Sequence, residues 1–280
     1  MKNILKKIVL HIFKPIIIFL ISVPLFSNVL DIVFNIIREN KLSLIYKGIK
    51  LKFYCPNRLI RMRIKTFSTK EPETLNWIDS FEENKIFWDI GSNIGLYSIY
   101  ASKTKFSDTY SFEPSMLNVE NLIKNINLNN LANKIMVIPF PITNYEGFND
   151  FSLSNDELGG ALSNFGDNKV LETNINKNLI YKIFGLSGDQ CINKLNFKKP
   201  DYIKIDVDGI ENLILEGLSN NINNTKSLLV EIDQSNKDQS NEIKNFLEKK
   251  GFKLDNSFFE NSNYSSNIQN QIWVNQTLNE

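Results

Sequence analysis

The chain has 280 residues, 42% of them hydrophobic, and a formal net charge of +1. That length holds one well-buried α/β domain plus an extension, and the near-neutral charge argues against a nucleic-acid partner. A single histidine, His11, and two widely separated cysteines, Cys55 and Cys191, disfavour a histidine base, a His- or Cys-built metal site and a disulfide framework.

Residues 1–45 read as an apolar, helical extension. Their charge-free core, Pro15–Leu30, is interrupted by Pro24 and closed by Asp31. It falls short of the roughly 20 residues that a spanning helix needs. Lys6, Lys7 and Lys14 precede it, and no small-residue cleavage site stands out after Phe26. Three readings stay open: helices packed on the following domain, which is favoured, an interfacial membrane helix, and a secretory or spanning segment.

Residues 46–280 are expected to form the main domain. Its first part, 46–70, carries eight Lys or Arg and no acid. In Leu59-Ile-Arg-Met-Arg-Ile-Lys65 the charges alternate with apolar residues, which predicts a strand with one cationic face. That face is either simply solvated or a basic ledge for an anionic substrate or lipid. From Glu71 onward the pattern alternates regularly. Pro72 opens a helix ending near Phe81, and strands are expected at 86–90, 108–112, 135–139, 202–206 and 226–232. Helices are expected at 115–127 and 209–218, and two more strands at Gly251–Leu254 and Gln271–Val274. Strands this apolar imply a mostly parallel sheet covered on both faces. The long segment 142–200, with Gly159, Gly160, Gly166 and Gly185, reads as a functional loop, a lid or a substrate wall. Abundant asparagine reads as a compositional bias of exposed loops, and free thiols imply a reduced, cytoplasmic compartment.

Two segments carry chemistry. The first, Ile86-Phe-Trp-Asp-Ile-Gly-Ser-Asn-Ile-Gly95, reads as a strand, a tight turn and a helix start. Gly91 and Gly95 leave room for a ligand against bare backbone, and the helix N-terminus favours polar or anionic groups. Glu113, about twenty residues on, ends the next strand, where an acid accepts hydrogen bonds from ribose hydroxyls. The glycine spacing differs from the G-x-G-x-x-G of dinucleotide binders, and Asp89 at the strand end suits a cationic group and not a pyrophosphate. The combination points to S-adenosylmethionine (AdoMet), with a plain α/β crossover as the alternative.

The second is Tyr202-Ile-Lys-Ile-Asp-Val-Asp-Gly-Ile-Glu211. Asp206 falls at a strand's carboxyl end, where open α/β sheets bind ligands, and is the candidate catalytic residue. Asp208 is expected to cap the helix that follows. Lys204, if buried, needs a partner, and Asp206 is close at hand. Glu231 and Asp233 end another strand and, with Asp206, could hold Mg²⁺; acids at strand ends are common, and no metal is assigned.

These motifs together resemble the FkbM family of AdoMet-dependent methyltransferases. Lys70-Glu-Pro-Glu-Thr-Leu75, Phe87–Ser98, Ser111-Phe-Glu-Pro-Ser115, Leu158-Gly-Gly-Ala-Leu-Ser163 and Pro200–Gly209 carry the likeness. The resemblance implies a Rossmann-like class I fold, an α/β seven-stranded sheet with helices on both faces and its last strand, Gln271–Val274, antiparallel. It also implies that Asp89, Gly91, Ser92, Asn93 and Gly95 surround the methionine part of AdoMet. Glu113 and Pro114 would then sit at the ribose, and Pro141 and Ile142 beside the adenine. The acceptor it implies is a hydroxyl on a sugar, a glycolipid or another small molecule. Two alternatives remain: a membrane-associated AdoMet-fold protein without turnover, its contact made through residues 1–45, and a metal-dependent small-molecule O-methyltransferase.

Overall fold

The computed structural model describes residues 2–154, 156–161, 163–166, 179–259 and 268–278, with side chains from residue 10 onward. Two helices, α1 (Lys2–Ser22) and α2 (Pro24–Arg38), precede a hairpin of β1 (Lys41–Tyr46) and β2 (Ile49–Tyr54). Then come α3 (Arg58–Lys65), α4 (Pro72–Asp79), β3 (Ile86–Ile90), α5 (Leu96–Thr104), β4 (Asp108–Phe112), α6 (Met116–Leu128) and β5 (Ile135–Ile138). A middle section follows, made of β6 (Ile142–Thr143), β7 (Gly147–Leu153), β8 (Ser163–Phe165), β9 (Leu179–Ser187) and α7 (Gly188–Leu195). The chain closes with β10 (Tyr202–Ile205), α8 (Glu211–Glu216), β11 (Ser227–Asp233), α9 (Lys237–Lys249), β12 (Phe252–Leu254) and β13 (Ile268–Asn275).

Seven strands form the main sheet in the order β12-β13-β11-β10-β3-β4-β5, with β13 antiparallel to both neighbours and the other pairings parallel. The expected reversed last strand is therefore present. Strand order turns at β3, whose neighbours are the next strand β4 and the distant β10, and this is where open α/β sheets leave a crevice. Side chains alternate between two cores. Trp88, Ile90, Ile203 and Ile205 pack toward residues of α7, α8 and α9, whereas Phe87, Tyr202 and Leu229 pack toward α3, α4, α5 and α6.

Four expectations are corrected. Residues 58–65 form a helix and not a strand: Asn57 caps it by accepting from the Ile60 amide at 2.8 Å, and Ile60 and Ile64 are its buried face. Positions four apart satisfy a period of two and a helical repeat equally, so the alternation was ambiguous. The segment 142–200 is not a structureless loop. Its described part holds α7, started by a Ser187–Gln190 capping box, and a four-stranded sheet of order β6-β9-β7-β8; residues 167–178 and Leu162 lie outside the described residues. The extension does not pack on the domain: α2 has no buried residue, and the hairpin from Lys41 already belongs to the α/β unit through β2 against α6. Asparagine is not confined to loops either. Along α6, Asn118, Asn121 and Asn125 are buried, with Asn129 at its end. Asn125 accepts from the Tyr54 amide at 2.8 Å and Asn129 from the Lys52 amide at 3.1 Å, so side-chain amides take the place of a neighbouring strand along β2.

Candidate functional site

The site is built where β3, β4 and β10 end. After Ile90 the chain enters a turn with Gly91, Asn93 and Gly95 all at positive φ (88°, 50° and 82°), and α5 starts immediately behind it. Both glycines are fixed by packing. A Cβ on Gly91 would lie 2.0 Å from the Asp206 carbonyl oxygen, and one on Gly95 would lie 2.4 Å from Leu122. Bare backbone here lets the ends of β3 and β10 touch and lets α6 close on the turn. Gly91 also faces the cavity; Gly95 does not.

A cavity of about 350 Å³ opens over these strand ends. Gly91, Asn93, Glu113, Pro114, Pro141, Ile142 and Asp206 line it, so the structure brings most of the sequence-predicted residues together. Ser92 borders a smaller adjoining hollow of about 60 Å³, shared with Leu96, Tyr97, Lys204 and Asp206. Asp89 borders neither space. It is buried beneath the turn, accepts from the Ser98 hydroxyl, and stands in register beside Lys204 on β10. Its Oδ1 is buried without a hydrogen-bond partner among the described residues, and neither Asp89 nor Gly95 lines the cavity.

Glu113 is held by the main chain. Its two carboxylate oxygens accept from the Asn93 and Ser115 amides, each at 2.8 Å. Burial outweighs these bonds and pushes its carboxyl up to about 7. The Asn93 side chain donates to the Gly160 carbonyl at 2.8 Å, and Asn118 donates to the same carbonyl at 3.1 Å while accepting from the Gly159 amide at 2.9 Å. These two amides hold the Gly159-Gly160 turn over the cavity. Asn93 Oδ1 is buried and, among the described residues, without a hydrogen-bond partner, an acceptor waiting for a donor at the cavity wall.

The opposite end is held by side-chain charge. Lys204, 1% exposed, forms an ion pair with Asp206, as its position two residues away suggested. Burial acts to raise the Asp206 carboxyl, but the charge and hydrogen bond of Lys204, with Lys70 behind, outweigh it and hold Asp206 below its ordinary range. Glu231 behaves oppositely: burial and the neighbouring Asp206 push its carboxyl well above the usual carboxylate range, and it hydrogen-bonds Asp206. Glu71 adds a third carboxylate, accepting from Tyr97 Oη at 2.9 Å and pairing with Lys70. Among the described residues no group of three or more His, Cys, Asp or Glu is arranged to hold a metal ion.

The middle section supplies the far wall through Phe151, Ser163, Asn164 and Phe165. Asp208 is not the cap of α8, whose N-cap Ile210 makes no side-chain cap bond; it accepts from the Ser163 amide at 3.0 Å and ties that wall to β10. Glu211 closes the turn before α8 by accepting from the Gly209 amide at 3.0 Å. Sequence reading missed Asn118, Phe140, Phe151 and Phe165, whereas Arg63, named in the basic stretch as part of a possible ledge, does line the cavity. Asn118 was hidden among many asparagines; Phe151 and Phe165 sit in strands with little alternation, and Phe140 in the bend after β5.

The mostly parallel sheet with one reversed strand and a glycine turn at its switch point defines a Rossmann-like, class I methyltransferase fold. The sequence profile of the methyltransferase FkbM domain matches residues 89–254, and the chain belongs to that family. It is 26% identical over 155 residues to the hexuronic acid methyltransferase AglP of Haloferax volcanii, a match spanning 55% of this chain and 59% of that protein. Among solved structures it is similar to the methyltransferase FkbM from Methylobacillus flagellatus KT (14% identity, TM-score 0.46, 69% of this chain and 44% of that one). It is also similar to the precorrin-6y C5,15-methyltransferase from Geobacter metallireducens GS-15 (11% identity, TM-score 0.44, 73% and 87%).

Proposed function

We propose that this chain is an AdoMet-dependent methyltransferase that methylates a hydroxyl of a sugar, a lipid-linked glycan or a related small molecule, working in the cytoplasm or at its membrane face. The observation that carries the reading is the Glu113 carboxylate, held by two amides at the floor of a cavity that runs to a paired carboxylate, Asp206. The residues present fit the cofactor. Each oxygen of Glu113 keeps a lone pair for a ribose hydroxyl, and Asn93 Oδ1 is an unmet acceptor for an ammonium or hydroxyl donor. Phe140, Pro141 and Ile142 offer an apolar slot for a flat base. When bound, AdoMet supplies an electrophilic methyl group.

This chain's own residues orient the acceptor and handle its proton. Asp206, kept ionised by Lys204, accepts a hydrogen bond from the acceptor hydroxyl and aims its lone pair into the cavity. A carboxylate this stabilised is a weak base, suited to a proton that leaves late. Arg63 and Lys70 at the wall add positive charge, which suits an acidic sugar, the substrate class in the name of the archaeal relative. Transfer of label from methyl-labelled AdoMet into uronic-acid glycans, with neutral glycans in parallel, tests the acceptor. Labelling of neither, despite tight cofactor binding, counts against it.

A further inference from the structure

We infer that the helix pair α1–α2 is a bilayer anchor that inserts into one leaflet of an anionic membrane, with the outer cations of α3 resting on the headgroups. The first observation is the arrangement of apolar surface. Ile16, Ile17, Ile18, Phe19 and Ile21 of α1 are each 45–66% exposed. At 100° per residue, consecutive positions such as these point to every side of the helix. A protein partner or a second copy covers one stripe and leaves the others in water. An unburied helix that is apolar all round is matched by hydrocarbon.

α2 differs in a way that fits the same occupant. Ser27, Asp31, Asn35 and Arg38 recur at spacings of three and four and form one polar stripe, while Leu25, Ile32 and Ile36 on the opposite side are each well exposed. Charge selects the kind of membrane. Lys2, Lys6, Lys7 and Lys14 are the only charged residues before Asp31, and cations of this kind favour anionic headgroups.

Geometry limits the depth. Among the described residues neither helix alone is long and apolar enough to cross a membrane, and Leu10–Ser22 and Pro24–Arg38 are bent by 113° at the break between them. A bend this sharp fits a pair that enters one leaflet and turns back. The anchor is joined firmly to the domain. Arg38 pairs with Glu120, and Glu39 pairs with Lys124 at 3.4 Å. Asn40, just past α2, accepts from the Cys55 amide at 2.7 Å and donates to the Cys55 carbonyl at 3.0 Å. Two residues beyond Cys55, Asn57 caps α3. The end of α2 thus meets the start of α3, whose exposed residues are Arg58, Arg61, Met62 and Lys65. Met62 and Arg63 also line the cavity, so the headgroup face of α3 borders the entrance to the site.

Flotation of the full chain tests this and reads no chemistry, so it stands or falls apart from the methyl-transfer reading. With vesicles of phosphatidylcholine and phosphatidylglycerol the chain is expected to float, and with phosphatidylcholine alone to float less. The double variant Ile32→Glu, Ile36→Glu should lower the bound fraction roughly tenfold or more, with melting temperature and AdoMet affinity unchanged as proof of folding. Replacing Arg58, Arg61 and Lys65 by Ala should weaken binding to the mixed vesicles about fivefold per charge and leave the neutral vesicles unaffected. Failure to float with either vesicle overturns the proposal. So does a lipid-free dimer that the Ile32→Glu, Ile36→Glu variant dissolves, or a membrane-bound chain whose intact mass lacks the helix pair.

Discussion

The two ends of the cavity are held by different means. At the Glu113 end, main-chain amides from Asn93 and Ser115 grip the carboxylate, and the turn that supplies one of them is locked by glycines packed against Asp206 and Leu122. At the Asp206 end, the grip comes from side chains: the Lys204 and Lys70 cations and a hydrogen bond from Glu231 hold Asp206, while Asp89 and Glu71 add negative charge around Lys204. A backbone grip survives most substitutions nearby and suits a ligand that never varies, such as a cofactor. A side-chain grip can be retuned one residue at a time and suits an acceptor that differs between relatives.

The largest expected effects attack the places where each grip is anchored. Lys204→Met leaves Asp206 and Asp89 facing each other across β10 and β3 with no buried cation. A loss of about 3–5 kcal/mol is expected in denaturant unfolding, with partial recovery when Asp89→Asn is added. Gly91→Ala places a Cβ 2.0 Å from the Asp206 carbonyl at a φ of +88°, and should cost about 3 kcal/mol or more while abolishing cofactor binding. Should Gly91→Ala instead bind cofactor normally, the two strand ends are not the rigid unit described here.

Smaller effects separate the two ends more finely. Glu113→Gln keeps the shape of the side chain and removes its charge; a loss of about 2 kcal/mol in AdoMet affinity is expected by calorimetry, with little change in melting. Asp208→Asn weakens the tie to the Ser163 amide and should raise the KM for acceptor only a fewfold, about 1 kcal/mol, without touching cofactor affinity. An effect of Asp208→Asn on AdoMet binding equal to that of Glu113→Gln would erase the distinction between the ends.

How much of this was legible in the sequence follows the same division. Strands 86–90 and 108–112 match residue for residue, because short runs rich in β-branched and aromatic residues ending at turns leave few alternatives. Glu113, Asn93 and the Lys204–Asp206 pair were found because they sit at strand ends or two positions apart, where local spacing dictates geometry. Reasons that depend on distant residues were not legible. Gly91 was read as space for a ligand and does line the cavity, but the Asp206 carbonyl, far along the chain, which also forbids a side chain there, was not foreseen. Asp89 was placed at the ligand, but its register with Lys204 and its contact with Ser98 bury it below. The helix at 58–65 was missed because its alternation fits a strand and a helix equally, and the small sheet within 142–200 because its strands alternate little and their stability comes from tertiary packing.

The account rests on Glu113 acting as the ionised acceptor of a ribose, and its titration offers the most direct test. Burial pushes the carboxyl up to about 7 in the free protein, and hydroxyl donors stabilise the charged form. Below pH 7 each binding event must release a proton, so affinity should fall about tenfold per pH unit as pH drops, and level off above. Glu211, also pushed to about 7 by burial, lies outside the cavity and is left intact as a control. Calorimetric titration of S-adenosylhomocysteine into wild type and Glu113→Gln across pH 7 should show this rise and plateau for wild type, with a weak, pH-independent affinity for the variant. Equal affinities and identical pH profiles for the two proteins would contradict it.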